Sequence, residues 1–502
     1  MKLRDLLKKL TQQGAVYGVG EMAGRAAGFL MIPIYTAVLI TEDFGRLQVL
    51  FVMHQMGQMT ADLGFMAAFM RWYGLAKTDE ERKNTVVTIS AGLLAATLLA
   101  SGLLASLASP MAKLFLTSTI YTRYVQLVAL SLGLRVLSTM ANTYLRLRER
   151  PVLYAFFSLG RTLLSLALVL FFVLVQKQGI WGVLVGEAIA NAAALIVAIF
   201  ILLPELRGKF IPSYLVEFLN YGLPFVLVNL GAFALLSTDK LILSGKGLVS
   251  ETGLYALGGK LGIALNVGII WPFTLVWTPT MFSIAREETE EEAQRLFAKI
   301  FTYMAGLLLW AGLGLGLLAP EIIDLVSPPE YASAALVAPF LILSYVIYGF
   351  YRNFQVGLNI LGKSRRLASS FLIAASLNLI LNLILIPHYG MIGAAVATLI
   401  SYTVMAGLVL QASQRHYPIP YEWWRVGKLI LLTLGLYIAG RWLSPAPGYV
   451  LSQFVVKAAL LLIFPIGVMT LGVLTPGERR RLVGRLRRSR AAKKREPGAE
   501  EE

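Results

Sequence analysis

The sequence predicts an all-α polytopic membrane protein: about fourteen transmembrane helices, arranged as two parallel-repeat six-helix lobes plus two C-terminal helices. Three observations carry this reading. Of 502 residues, 57% are hydrophobic and only 15% charged, where an average soluble domain carries about 25% charged residues. Apolar stretches of about 20 residues, the length needed to cross a bilayer, recur from one end to the other. A glycine pattern recurs at an offset of 211 residues.

The spans fall at 13–40, 46–70, 85–108, 124–147, 152–176, 179–204, 218–243, 253–283, 298–319, 333–361, 367–386, 390–413, 428–443 and 450–474. Lys2, Arg4, Lys8 and Lys9 lead into the first span without a small-residue cleavage site. That segment therefore reads as a permanent helix and not a removable signal. The stretch 428–443 is short and ends at Arg441. Cysteine is absent, which excludes disulfide and zinc–thiolate frameworks.

Loop charge orients the set. The N-terminus, the segments near 71–84, 145–150, 205–216, 285–299, 363–366 and 415–428, and the tail carry 32 Lys and Arg. The other side carries five: Arg46, Lys113, Arg123, Lys177 and Lys246. Basic loops stay in the cytoplasm. Both termini are thus expected inside a bacterial or archaeal cytoplasmic membrane, which requires an even number of spans. The outward loops are short. The tail, 476–502, contains ERRRLVGRLRRSRAAKKRE. It reads first as an ordinary cytoplasmic stop and second as a clamp for anionic lipid.

GIWGVLVGEAIANAAALIV (179–197) and GMIGAAVATLISYTVMAGL (390–408) match at Gly179/Gly390, Gly182/Gly393 and Ile189/Ile400. TEDFGRLQVL (41–50) and SETGLYALGGKL (250–261) form a weaker pair, each at an outer loop. A unit of six spans gives both copies one orientation, with a substrate site between them near the midplane. The expected division is 1–210, 211–415, 416–475 and the basic tail.

Twelve ionisable side chains lie in or at the ends of apolar spans: Glu21, Arg25, Asp62, Arg135, Arg161, Glu187, Asp239, Lys240, Lys260, Arg352, Arg441 and Lys457. A charge at mid-bilayer costs about 2.5–3.5 kcal/mol even on a lenient scale. So many of them, mostly basic, imply a polar cavity that receives an anion. Guanidinium groups grip phosphate oxygens in pairs, so Arg25, Arg135, Arg161 and Arg352, with Lys260, are the candidate substrate-binding residues. Glu21, Asp62, Glu187 and Asp239 are candidates for coupling to Na⁺ or H⁺, or for neutralising a neighbouring arginine. Glu21 and Arg25 stand one helical turn apart and can pair. Asp239 and Lys240 read as an interfacial pair at the outer end of span 7, and His54 as a hydrogen-bonded core group. Pro33, Pro224, Pro272 and Pro279 are candidate bending points. GLGLG at 312–316 lies inside a span with no strand before it, and no GxxxxGK[ST] pattern occurs. No internal ATPase, cofactor, metal or nucleic acid is expected.

IPIYTAVLITEDFGRLQVLF (32–51), ADLGFMAAFMRWY (61–73), YGLPFVLVNL with STDKLIL (221–243) and GLYALGGKL (253–261) resemble bacterial polysaccharide-unit flippases. These belong to the multidrug/oligosaccharidyl-lipid/polysaccharide exporter superfamily. The resemblance covers spans 1–12 and sets Arg71, Asp239 and Lys240 at motif positions, with lysine at 240 where relatives carry arginine. It implies a flippase, not an enzyme, that moves a polyprenyl-diphosphate-linked oligosaccharide between two lobes in contact with membrane lipids. A lipid II flippase is the first alternative, although its pattern is not seen around span 10. A drug/cation antiporter would want an acidic cavity. A membrane glycosyltransferase or polymerase would want catalytic side chains on a large outer loop.

Overall fold

A computed structural model describes residues 28–443, 450–473 and 477. Every regular element among them is helical. The elements are α1 (Gly28–Val38), α2 (Thr41–Asp62), α3 (Phe65–Leu75), α4 (Asp79–Ser106), α5 (Ala108–Phe115), α6 (Thr122–Leu147), α7 (Pro151–Leu170) and α8 (Gly179–Leu202). They continue with α9 (Pro212–Gly245), α10 (Val249–Leu265), α11 (Trp271–Glu287), α12 (Glu290–Leu317), α13 (Ala319–Val326), α14 (Ala338–Phe354) and α15 (Val356–Ile360). Last come α16 (Ser364–Gln414), α17 (Trp423–Leu443) and α18 (Val450–Thr470).

Ten helices among the described residues are long and apolar enough to cross a membrane, or eleven if one bent pair counts as a single span. This is a multi-pass membrane protein. The expected total of fourteen differs for physical reasons. Most of the first span, 13–27, lies outside the described residues. The second is broken at Leu63 and Gly64, both with positive φ. The eleventh and twelfth run together as α16, whose 51 residues amount to about 77 Å at 1.5 Å each, far more than one crossing. Its backbone leaves helical geometry at Gly390.

The repeat is deeper than the glycine pattern. α4 begins at 79 and ends at 106, and α12 begins at 290 and ends at 317, 211 residues on at both ends. α5 and α13 keep the same offset, 108–115 against 319–326. The helix starts are built alike. Thr78 caps α4 by accepting from the Glu81 N–H at 3.1 Å, and Thr289 caps α12 by accepting from the Glu292 N–H at 3.4 Å. Three carboxylates follow each cap, where the helix dipole favours them. Gly179 and Gly390 share a φ of +54°, a conformation that suits glycine. Gly182 and Gly393 then lie so close to the preceding helix that a Cβ on either would come within about 3 Å of it.

α9 and α11 run on through Pro224 and Pro279. Pro272 follows a π-turn at Asn266–Ile270, which absorbs the missing N–H.

Two groups of contacts tie the helices. On the basic face, the Lys209 N–H donates to Asn84 Oδ1 (2.6 Å), the Ile211 N–H to Thr88 (3.0 Å), and Tyr144 to Glu205 (2.9 Å). At the opposite end, α2 and α10 cross so closely that a Cβ on Gly45 would sit 2.0 Å from the Val249 carbonyl oxygen. There Thr41 meets Ser250 (2.8 Å), Tyr331 donates to the Leu39 carbonyl (2.6 Å), and Ser244 donates to the Phe115 carbonyl (2.5 Å). Lys457 of α18 pairs with Glu321 of α13 at the same end.

Candidate anion-binding cavity

A cavity of about 460 Å³ lies between α1, α2, α6, α7, α8 and α10. Four candidates chosen from sequence line it together: Arg135, Arg161, Glu187 and Lys260. Each reaches it by helix geometry. Arg161 sits on the third turn of α7, which Pro151 starts in its preferred first-turn position. Glu187 and Asn191 are one turn apart on α8, so both face Arg161.

Arg161 is held on two sides. Its Nη2 donates to Glu187 Oε2 and its Nε to Asn191 Oδ1, both at 2.9 Å. Ser165 donates to the other Glu187 oxygen at 2.8 Å, and Asn191 Nδ2 donates to Ser131 Oγ at 2.9 Å. Glu187 therefore has the geometry of a counter-ion. Arg135 and Lys260 make no side-chain hydrogen bond or ion pair among the described residues. Among the described residues, the cavity thus carries one arginine paired with a carboxylate and two basic side chains without a hydrogen-bond or ion-pair partner, contributed by α6 and α10.

A side chamber of about 180 Å³ shares Phe51, Arg135, Arg161 and Glu187 with the cavity and adds His54 and Gln58. His54 hydrogen-bonds the Ser131 backbone, as the hydrogen-bonded core group expected from sequence, while its Nε2 is buried with no partner among the described residues. Gln48, Ser158 and Ser165 are further lining groups that sequence reasoning missed. Uncharged residues common in membrane helices give no signal by themselves.

The other candidates lie elsewhere. Arg25 and Glu21 are outside the described residues. Arg352, on α14, donates from Nε to Thr274 at 3.4 Å. Asp62 ends α2, and its Oδ1 accepts the Met66 N–H at 3.2 Å, which caps α3 across the break. Asp239, expected as half of an interfacial pair with Lys240, is buried. It is 4% exposed, accepts from the Tyr255 hydroxyl and from the Lys240 backbone N–H at 2.8 Å, and has the Lys240 charge nearby without a salt bridge to it among the described residues. Tyr255 also contacts Thr398 at 3.2 Å.

The repeat supplies an internal comparison. Counted from Gly179 and Gly390, Glu187 corresponds to Thr398 and Asn191 to Tyr402. One copy holds an arginine–carboxylate network. The other holds a hydroxyl network beside a buried aspartate.

The model of the polysaccharide biosynthesis protein family matches residues 36–336. An uncharacterised membrane protein of Methanocaldococcus jannaschii is 29% identical over 171 residues. That match spans 32% of this chain and only a third, 33%, of the relative. Among solved structures, the lipid II flippase MurJ in an inward closed conformation aligns with TM-score 0.71 and 14% identity, over 91% of this chain and 99% of that one. An inward-facing multidrug-resistance MATE transporter of the MOP superfamily aligns with TM-score 0.63 and 14% identity, over 81% and 95%. At such identities the likeness is one of fold. The family model covers more than half of the sequence, and the chain belongs to the polysaccharide biosynthesis protein family, with the fold of MOP-superfamily transporters.

Proposed function

We propose that this protein flips a polyprenyl-diphosphate-linked oligosaccharide across the cytoplasmic membrane by alternating access. The observation that carries the reading is the convergence of Arg135, Arg161 and Lys260 on one cavity, two of them without an ion-pair partner among the described residues. A diphosphate supplies the missing negative charge, and buried cations without partners are otherwise costly. Arg25, on the same side of the sequence as α1, is a further proposed ligand. The sugars occupy the cavity and the lipid tail stays in the bilayer. Residues 1–210 and 211–415 act as the two lobes, and the basic face is cytoplasmic. In the present conformation the contacts around Thr41, Ser250 and Tyr331 hold the opposite end shut.

Charge sets the direction of transport. An inside-negative potential favours outward movement of an anion by about 2.3 kcal/mol per charge per 100 mV. Two phosphate charges gain about 5 kcal/mol on that scale. Asp239 is the proposed site of Na⁺ or H⁺ coupling.

The peptidoglycan precursor is a second candidate substrate, favoured by the fold likeness to a lipid II flippase over 91% of the chain. Proteoliposomes containing the purified protein and undecaprenyl-diphosphate-linked glycans of the two kinds decide between them. Flipping of a polysaccharide unit with no flipping of lipid II supports the first reading. The reverse supports the second, and flipping of neither overturns both.

A further inference from the structure

We propose that Arg82, Arg148 and Arg150 form a second anion site, on the basic face and apart from the cavity, that takes a phosphate ester. A pocket of about 370 Å³ opens there between Tyr73, Arg82 and the turn 147–150.

The turn is rigid. The Arg150 N–H donates to the Leu145 carbonyl at 2.9 Å and the Glu149 N–H to the Arg146 carbonyl at 3.0 Å. Glu149 sits at φ +50°, where a helix normally ends on glycine. The backbone positions of the arginines on either side of it are therefore set by the turn's own bonds.

Among the described residues, Arg82 and Arg148 make only long contacts with carboxylates. Arg148 approaches Glu205 only at 3.9 Å, and that carboxylate is bound more closely by Tyr144 at 2.9 Å. Arg82 reaches Asp79 at 3.5 Å, while its Nε is buried with no acceptor among the described residues. Glu149 is the one acid among the lining residues, against three arginines.

In the second copy two of the three positions carry no charge, while Lys363 stands where Arg150 stands. The equivalent turn has the same two bonds: the Lys363 N–H to the Leu358 carbonyl at 2.8 Å, and the Gly362 N–H to the Asn359 carbonyl at 3.1 Å. Gly362, at φ +66°, stands where Glu149 stands, and Leu361 stands where Arg148 stands. Counted from the two threonine caps, Arg82 corresponds to Ala293, which is fully buried. Packing and turn geometry are met by alanine, leucine and glycine. Arg82 and Arg148 are additions to a frame that closes without them, and Arg150 keeps the positive charge that Lys363 has in the second copy.

Basic pockets between helix ends on this side of a membrane hold lipid phosphates. The chemistry fits the headgroup of an anionic lipid or a free phosphate species alike. The test uses the full-length protein in detergent. Native mass spectrometry measures retention of phosphatidylglycerol against phosphatidylcholine, and thermal melting measures the effect of inorganic phosphate. Wild type should retain phosphatidylglycerol preferentially, and Arg82→Gln with Arg150→Gln should weaken that retention roughly tenfold or more. Glu149→Gly removes the lining acid and adopts the residue of the second copy. It should bind phosphatidylglycerol more tightly, a gain that misfolding cannot imitate. Arg82→Ala, a residue the frame accepts in the second copy, serves if the double variant does not fold. A rise in melting temperature with inorganic phosphate, lost in the variants and without a lipid preference, assigns the site to a free phosphate species. Unchanged phosphatidylglycerol retention in the arginine variants, or no effect of either probe on wild type, overturns the site.

Discussion

The hydroxyls of Thr41 and Ser250 meet at 2.8 Å where α2 and α10 begin. The contact joins two segments that the sequence already paired as weak repeats. Gly45 and Gly253, one turn further in, let the two backbones touch. A seam made of two hydroxyls and two glycines can open without breaking an ion pair, which suits a gate.

Locking that seam should stop transport. The chain has no cysteine, so Thr41→Cys with Ser250→Cys gives one possible disulfide. Oxidation should abolish flipping in proteoliposomes, and dithiothreitol should restore it. Full activity in the oxidised, cross-linked protein would show that this end need not open.

Removing cavity cations should separate binding from folding. Arg135→Ala and Lys260→Ala lose no hydrogen-bond or ion-pair partner among the described residues, so each should fold and reach the membrane yet flip at least about tenfold more slowly. Lysine at 135 should restore little, because it lacks the two-pronged donor. Arg161→Ala should behave differently, since it leaves Glu187 without its ion pair. With side-chain exposures of 16% and 31% for the pair, the expected loss of stability is about 1–3 kcal/mol. Adding Glu187→Gln should recover part of it in a detergent melting experiment. Equal melting temperatures for all three single variants would remove the distinction.

Much of this was legible in sequence, for a definite reason. Charges in apolar spans are expensive, so Arg135, Arg161, Glu187 and Lys260 stood out, and the structure brings all four to one cavity. The glycine pair 179/390 showed the repeat because positive φ restricts residue choice. The threonine caps at 78 and 289 repeat at the same offset but went unread, since capping sequences are common at helix starts. The surroundings of Asp239 were not legible either. Its partner Tyr255 lies on the next helix, and Thr398 comes from α16; neither residue type is unusual in a span. Asp62 looked functional by its cost, but a break at Leu63 and Gly64 gives it a backbone N–H to cap.

The repeated glycines should respond unequally to alanine. At Gly179 a Cβ meets only Leu39, at 3.8 Å, so Gly179→Ala costs about 1 kcal/mol of backbone strain. At Gly390 a Cβ would fall 2.1 Å from Glu251 Oε2. That oxygen accepts the Met391 N–H at 2.6 Å, and the bond would break. Gly390→Ala should therefore cost about 2–4 kcal/mol. Similar melting temperatures for the two variants would mean that Glu251 does not hold α16 at its bend.

Asp239 tests whether the second copy couples an ion. The carboxylate is buried, and it accepts from the Tyr255 hydroxyl and the Lys240 N–H, a site that asparagine fills with almost the same shape. Asp239→Asn should keep the fold and still bind the lipid-linked glycan, while flipping loses its dependence on an imposed Na⁺ or H⁺ gradient. Tyr255→Phe instead keeps the acid but removes a donor, so it should destabilise by about 1–3 kcal/mol and leave the gradient dependence in place. The two variants separate a carboxylate that carries an ion from one that only completes a hydrogen-bond network. If Asp239→Asn flips with undiminished gradient dependence, the coupling group lies elsewhere and Asp239 is a packing residue that happens to be charged.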